Sequence, residues 1–436
     1  MTRSMTLLLL LALAILRAVC LGAVPCLEHT GDDLDSIGFV PVEPSIRIPL
    51  GQPSLCSHGD FNEDGVVDLV IGTVHYADSS DEESVGHVSV LLGLGCGRFG
   101  PPYLIDSFSH VGDLRVAWAL SADIDHDRHQ DLVITYAAQE AWTVQTVVVV
   151  LVGDGRGVFV EAERKVSESL FVPLLATDVT GDRIPDLVAV DLLGDSIYLA
   201  TGSAKGVSLD FRVMVSLEAW RFPHRVQFVD VDEDGELDIA IAGFRCSVEE
   251  RRCWRYLGVG RGNPGWEVAD LTYVELPEPE PSRRPVNLVL GDVDGSASLD
   301  LIFTGPERAY VASFDVEEAL VLCPIDGAWI EDPRAELRVA YLDGDKRVDY
   351  VIRRLDGTVQ ILLTEWGAES RNVVLMGITF FYSRAYAIDV ADVDGDSRED
   401  VVVVRDGTAD TDDAEQVSIV DVLLNRLHVP AEGVTE

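Results

Sequence analysis

The chain has 436 residues, 47% hydrophobic and 7% aromatic, so it can bury a substantial core and is not disordered by composition. Its 75 acidic residues against 33 basic ones give a formal net charge of −42. That sign repels phosphate backbones and anionic membranes, which argues against nucleic-acid binding, and it calls for either solvent exposure or bound cations.

The first element in chain order reads as a leader. Arg3 precedes the apolar run Met5–Leu16, which is too short to span a bilayer, and the small pair Gly22–Ala23 suits cleavage. The expectation is a signal peptide over 1–23 and an exported, soluble protein over 24–436 with no membrane span. Arg17 argues against acylation at Cys20. Without Cys20 six cysteines remain, an even number that suits an oxidising compartment. Cys246 and Cys253 flank a hairpin and are expected to pair; Cys26, Cys56, Cys96 and Cys323 allow three pairings.

Next comes "DFNEDGVVDLVIG" from Asp60, and related segments begin at Asp123, Asp178, Asp230, Asp292, Tyr341 and Asp392. The intervals are 63, 55, 52, 62, 49 and 51 residues, a repeat of the length used by propellers and solenoids. Each unit has one β-rich segment entering the acidic turn and a short apolar strand leaving it. A third β-rich run such as "TVVVVLVG" or "VQILLT" follows, and then a less regular fourth segment. Seven four-stranded units predict an all-β, seven-bladed β-propeller, with an open solenoid as the alternative. Only 45 residues remain from Asp392 onward, too few for a complete last unit. The surplus N-terminal segment Ile37–Gly51 is expected to supply the missing outer strand and close the ring.

These units resemble FG-GAP/VCBS-type repeats, the repeats of integrin alpha-subunit propellers and of many secreted bacterial proteins. The acidic loops carry the resemblance, together with "VLLGLGCGRFGPP" (Val90–Pro102) and "VLVGDGRGVFVEA" (Val150–Ala162); later units match the second segment poorly.

Hard cations such as calcium take six to eight oxygens from carboxylates, carbonyls and water. A tight loop offering side chains at positions 1, 3, 5 and 9, with the backbone carbonyl of 7, can wrap one such ion. The candidate ligands of the first loop are Asp60, Asn62, Asp64, Val66 and Asp68, and of the second Asp123, Asp125, Asp127, His129 and Asp131. The third loop offers Asp178, Thr180, Asp182, Ile184 and Asp186; the fourth offers Asp230, Asp232, Asp234, Glu236 and Asp238. The fifth offers Asp292, Asp294, Ser296, Ser298 and Asp300; the sixth, with Tyr341 at position 1, offers Asp343, Asp345, Arg347 and Asp349. The seventh offers Asp392, Asp394, Asp396, Arg398 and Asp400. Aspartate fills 24 of the 28 side-chain positions, which favours a metal role over a solvated turn. An EF-hand is excluded, because position 12 of the first loop is Ile71 inside a strand.

The loops are not equivalent. Those at Asp230 and Asp392 have four aspartates and a glycine, Gly235 or Gly395, for the turn. The second has His126 and Arg128 where glycine would sit, so strain is expected there, and the sixth is expected to be the weakest. Up to seven calcium ions are anticipated, and their binding should stabilise the fold.

The loops between second and third strands lie on the opposite face, where the resemblance places protein ligands. Ring closure would make "HYADSSDEESVGH" (His75–His87) and "RDGTADTDDAEQ" (Arg405–Gln416) neighbours. That acidic patch, with Asp81, Glu82, Glu83, Asp412 and Asp413, suits a cationic protein segment, while Trp142 of unit two and Trp254 of unit four, on the same face, would suit a glycan. No catalytic motif of a hydrolase, P-loop or zinc enzyme occurs, and the spacing His126-x-x-His129 falls inside a calcium loop. The leading expectation is therefore a secreted calcium-binding interaction or adhesion module rather than an enzyme. A calcium-dependent lectin and a polysaccharide lyase are the alternatives.

Overall fold

The structure, a computed structural model, describes residues 39–426 except for 78–81, 141–142, 204–207, 218–220, 231–236, 248, 250–251, 262–270, 278–286, 294–298, 305–307, 315–319, 330–335, 345–346, 355, 367–372, 383 and 408–415. The strands on either side of each acidic turn pair antiparallel, and two further strands complete every sheet. Blade one consists of Gln52–Gly59, Asp68–His75, Glu83–Leu91 and Tyr103–Val111. Blade two is Asp113–Ala122, Asp131–Glu140, Thr143–Gly153 and Phe159–Ser167; blade three is Phe171–Thr177, Asp186–Asp191, Ser196–Ala200 and Arg212–Ser216. Blade four is Arg221–Val229, Asp238–Ser247, Arg252–Gly260 and Thr272–Pro277; blade five is Leu288–Gly291, Asp300–Thr304, Arg308–Phe314 and Leu320–Trp329. Blade six is Glu336–Ala340, Asp349–Arg353, Thr358–Trp366 and Val373–Phe381. Blade seven has Ala385–Ala391, Asp400–Asp406 and Ser418–Asn425 from the end of the chain. The result is a seven-bladed β-propeller with no helix among the described residues.

The anticipated closure is present. Phe39–Pro41 pairs with Leu423–Asn425, and Ile46–Ile48 pairs with Ser418–Val420, so two short N-terminal strands form the outer edge of blade seven. An open solenoid is ruled out by this pairing and by contact between the first strands of blades seven and one.

Burial follows the blade stacking. The second strands are buried almost throughout, because each is covered on both faces by neighbouring sheets and reads as a continuous apolar run ("DLVIGTV", "DLVAV", "DVVVV"). The fourth strands alternate toward solvent, as in Tyr103–Val111 and Phe159–Ser167. Among the described residues seven clusters of buried apolar side chains each lie between one pair of adjacent blades. Phe39 belongs to the cluster between blades six and seven, and Ile48 to the one between blades seven and one. First strands contact first strands around most of the ring, so they surround its axis.

The disulfide Cys246–Cys253 is present across paired positions of blade four, and Cys96 is also disulfide-bonded. The expectation that the remaining four cysteines pair fails at Cys56, which is free and packed with Leu69, Ile71 and Ala387 in the core between blades one and seven. There it behaves as a small apolar side chain, so an even count was no guide to pairing.

Deleting residues 39–50 removes the buried Phe39 and Ile48 and exposes the Ser418–Asn425 edge. The deletion is expected to cost at least about 3 kcal/mol in urea unfolding, and a synthetic peptide of residues 37–51 should restore part of it. An unchanged midpoint would contradict the closure.

Candidate metal centres

The acidic loops are built on a buried anchor. Asp68, Asp131, Asp186, Asp349 and Asp400, each at position 9 and opening the second strand, have no exposed surface. In loop one, Asp68 Oδ2 accepts the Phe61 N–H at 2.8 Å and Oδ1 accepts the Gly93 N–H at 2.7 Å. The same pair of bonds recurs. Asp131 receives Ile124 N–H and Gly153 N–H, Asp186 receives Val179 N–H and Gly202 N–H, and Asp349 receives Leu342 N–H and Thr364 N–H. Asp400 receives Val393 N–H and Asn425 N–H. One carboxylate thus ties the start of its loop to the end of the third strand.

This explains a glycine that repeat reading left without a role. A Cβ at Gly93, Gly153 or Gly202 would lie 2.2–2.3 Å from the position 8 carbonyl of Val67, Gln130 or Pro185, so only glycine lets the amide come that close. Blades six and seven solve the contact with a side chain instead. Thr364 Oγ1 donates to Val348 O at 2.9 Å, and Asn425 Nδ2 donates to Glu399 O at 3.1 Å.

Above the anchor, the loop backbone wraps the side chain at position 1. Asp60 accepts from Asp64 N–H and Gly65 N–H, Asp178 from Gly181, Asp182 and Arg183, and Asp392 from Gly395, Asp396 and Ser397. The wrap needs left-handed backbone at positions 4 and 6, found at Glu63 and Gly65, Gly181 and Arg183, and Gly395 and Ser397. In loop two both positions are non-glycine, His126 at φ 63° and Arg128 at φ 80°, so the expected strain is located there.

In loop two Asp123, Asp125 and Asp127 offer carboxylate oxygens all within 4.8 Å of one another, and in loop seven Asp392, Asp394 and Asp396 do the same. Asp123 Oδ1 is shut off from solvent with no hydrogen-bond partner, an orphaned acceptor facing a cluster of like charge. Burial, and then Asp127, raises the Asp125 pKa; burial, and then Asp394, does the same for Asp396. Burial pushes Asp68 and Asp131 up to about 6 and Asp400 up to about 8. Hard oxygen donors, mutual repulsion and an unsatisfied oxygen fit a calcium-sized cation. Each anchored oxygen at position 9 keeps a second lone pair for such an ion.

The other loops differ in detail. Arg426 lies across loop seven, with Nη2 2.6 Å from Asp394 Oδ2 and Nη1 2.9 Å from Asp396 Oδ2, so a guanidinium competes there with any ion. In loop six the Tyr341 hydroxyl leaves its own loop and accepts Asp292 N–H at 3.3 Å. His129, expected to serve through its carbonyl, also turns its ring to Glu63 of loop one. In the fourth, fifth and sixth loops, Asp232, Asp234, Glu236, Asp294, Ser296, Ser298 and Asp345 lie outside the described residues.

On the opposite face, the loops of blades one and seven are joined at their stems. Gln416 accepts Tyr76 N–H at 3.0 Å and donates to Tyr76 O at 3.2 Å, so the expected neighbourhood holds at the base. Asp81, Asp412, Asp413 and Trp142 lie outside the described residues, while Glu82 and Glu83 are exposed. Trp254 is no bare platform, because Arg245 stacks 4.3 Å from its ring centroid and is held by Glu275.

No protein-family model matches the chain, and none of the curated proteins does. Among solved structures it is similar to an Agrocybe aegerita lectin that recognises non-reducing terminal N-acetylglucosamine, with 16% identity over 68% of this chain and 78% of that one (TM-score 0.39). It is similar to a Lactobacillus plantarum protein at 13% identity over 74% and 83% (TM-score 0.42). It is also similar to a Fusarium graminearum α-L-arabinofuranosidase at 9% identity over 88% and 98% (TM-score 0.44). At these identities and scores the likeness says nothing of ligand or chemistry.

Replacing Asp131 with Ala leaves the buried amides of Ile124 and Gly153 without an acceptor. Urea unfolding in chelator should show a loss of about 2–5 kcal/mol, with Asn recovering roughly half through its single acceptor oxygen.

Proposed function

We propose that the chain is a calcium-binding β-propeller of the FG-GAP/VCBS type, exported from the cytosol, that acts as a binding module rather than an enzyme. The observation that carries this reading is the repeated acidic loop, with three converging carboxylates in loops two and seven and the orphaned Asp123 Oδ1. Bound calcium would supply the positive charge that the converging carboxylates lack. The chain's own residues do the rest: the position 9 aspartates hold each loop on its strand, and the backbone turns hold the position 1 aspartates inward.

Export is supported by the leader-like sequence over 1–23 and by the disulfide Cys246–Cys253. No helix among the described residues is long and apolar enough to cross a membrane. The partner surface is the face opposite the acidic loops, where the stems of the blade one and blade seven loops meet at Gln416. Its acidic sequence fits a cationic protein segment through charge steering.

Calorimetric titration of chelator-stripped protein should show several calcium sites with dissociation constants on the order of 10⁻⁴ M, and magnesium should bind much more weakly. The double variant Asp125→Asn with Asp127→Asn should bind one ion fewer, and Arg426→Ala should tighten one site. Absence of calcium heat, or a stoichiometry unaltered by the double variant, would sink the reading.

A further inference from the structure

The acidic loops and the loop face leave one charged region of the molecule unused. Five first strands bring Trp118, Arg225, Glu336, Arg338, Asp389 and His58 toward the ring axis, from blades two, four, six, six, seven and one. Their contacts skip blades. Arg225 stacks with its Cζ 5.1 Å from the Trp118 ring centroid although blade three lies between them. The charge of Arg338 reaches Arg225 and lowers its pKa although blade five lies between them. Side chains of non-adjacent blades meet only across the central channel, so these groups line it.

Within the channel the charges are unevenly satisfied. Arg338 Nη2 lies 2.7 Å from Glu336 Oε1, and its Nε lies 4.0 Å from Asp389 Oδ1. Glu336 is shared with Arg353 at 3.0 Å, and Asp389 with His58 at 2.8 Å. Arg225 has no carboxylate within ion-pair distance among the described residues. It donates through Nη1 to the His224 carbonyl at 2.8 Å and otherwise rests on Trp118. Burial, reinforced by Arg338, pushes the Arg225 pKa down to about 10, which is the direction of a cation short of counter-charge. Two guanidiniums and one imidazole of the first strands thus meet two carboxylates, Glu336 being drawn on by Arg353 of the second strand as well, which leaves Arg225 a cation with no carboxylate of its own among the described residues, inside a chain of net charge −42.

We propose that the central channel binds a small monocarboxylate, held by the guanidinium edge of Arg225 that its His224 carbonyl bond and its Trp118 stack leave open. Trp118 fixes the plane of the Arg225 fork, leaving donors in the geometry that a carboxylate takes in a bidentate pair. A single charge suits the site, since a phosphate or sulfate dianion would be opposed by Glu336 and Asp389. The carboxylate can belong to a simple organic acid or to an acidic sugar. None of these residues lies in the acidic loops, so the proposal stands apart from the calcium reading.

The test is calorimetric titration of acetate and of glucuronate into the full protein in calcium-containing, carboxylate-free buffer, with sulfate as the counter-probe. Binding of either carboxylate should weaken about tenfold or more in Arg225→Gln and less in Arg225→Lys. The melting temperature of Arg225→Gln should stay level or rise, because the substitution removes a buried charge with no carboxylate partner. Acetate binding alone would assign simple acids, and glucuronate binding alone would assign acidic sugars. The proposal is overturned if neither binds, if sulfate binds more tightly than both, or if Arg225→Gln binds like the parent. A marked fall in its melting temperature would also overturn it, by making Arg225 a packing residue.

Discussion

A buried aspartate that accepts one amide from its own loop and one from the end of the third strand is the interaction on which this propeller depends. It recurs at Asp68, Asp131, Asp186, Asp349 and Asp400, and in each case it turns an acidic hairpin into part of the blade core. Losing such an acceptor would orphan two buried donors, whereas an exposed turn aspartate carries no such cost. The anchored loops are then joined around the ring. Gln130 Oε1 accepts Asp60 N–H at 3.0 Å between blades one and two, and Val348 N–H reaches Asp292 O at 2.8 Å between blades five and six. Asn425 Nδ2 donates to Leu342 O at 2.6 Å between blades six and seven. The loop face is a hydrogen-bonded belt as well as a row of candidate cation sites.

That double role sets a conflict that the fold must resolve. Anchoring the loops buries carboxylates and gathers others close by, which raises the pKa of Asp68, Asp131 and Asp400 through desolvation. On the proposed reading a bound cation would resolve the conflict by compensating the charge where it is concentrated. Loop seven has a partial substitute in Arg426, and loop six avoids the conflict by placing Tyr341 at position 1. The described loops are therefore variants of one hairpin with different ways of handling the same repulsion.

Much of this architecture was legible in the sequence, because repetition turns weak signals into a strong one. Four strands per unit, the apolar second strand and the use of the N-terminal segment as an outer edge follow from period and length, although that edge is two short strands, Phe39–Pro41 and Ile46–Ile48, rather than one. The acidic positions were equally plain. The role of position 9 was not, because a pattern shows that aspartate recurs without showing whether an ion or an amide requires it. Nor did the glycines advertise that two left-handed residues are needed per loop, since Glu63, Arg183 and Ser397 occupy such positions without glycine. Cys56 misled through parity, and Arg225 was silent because residues facing a ring axis meet partners from blades far away in sequence.

The most direct test of this account is thermal unfolding in chelator and in excess calcium, repeated between pH 6 and pH 8.5. Because the folded protein holds protons on Asp68, Asp131 and Asp400 more tightly than the unfolded chain, their stabilising contribution is full below about pH 4. It is lost as pH rises through about 6 and about 8. The chelated protein should melt higher as pH falls, and calcium should raise the melting temperature most at the alkaline end, where the carboxylates are free to bind it. Curves in chelator and calcium that superimpose across this range would contradict this expectation.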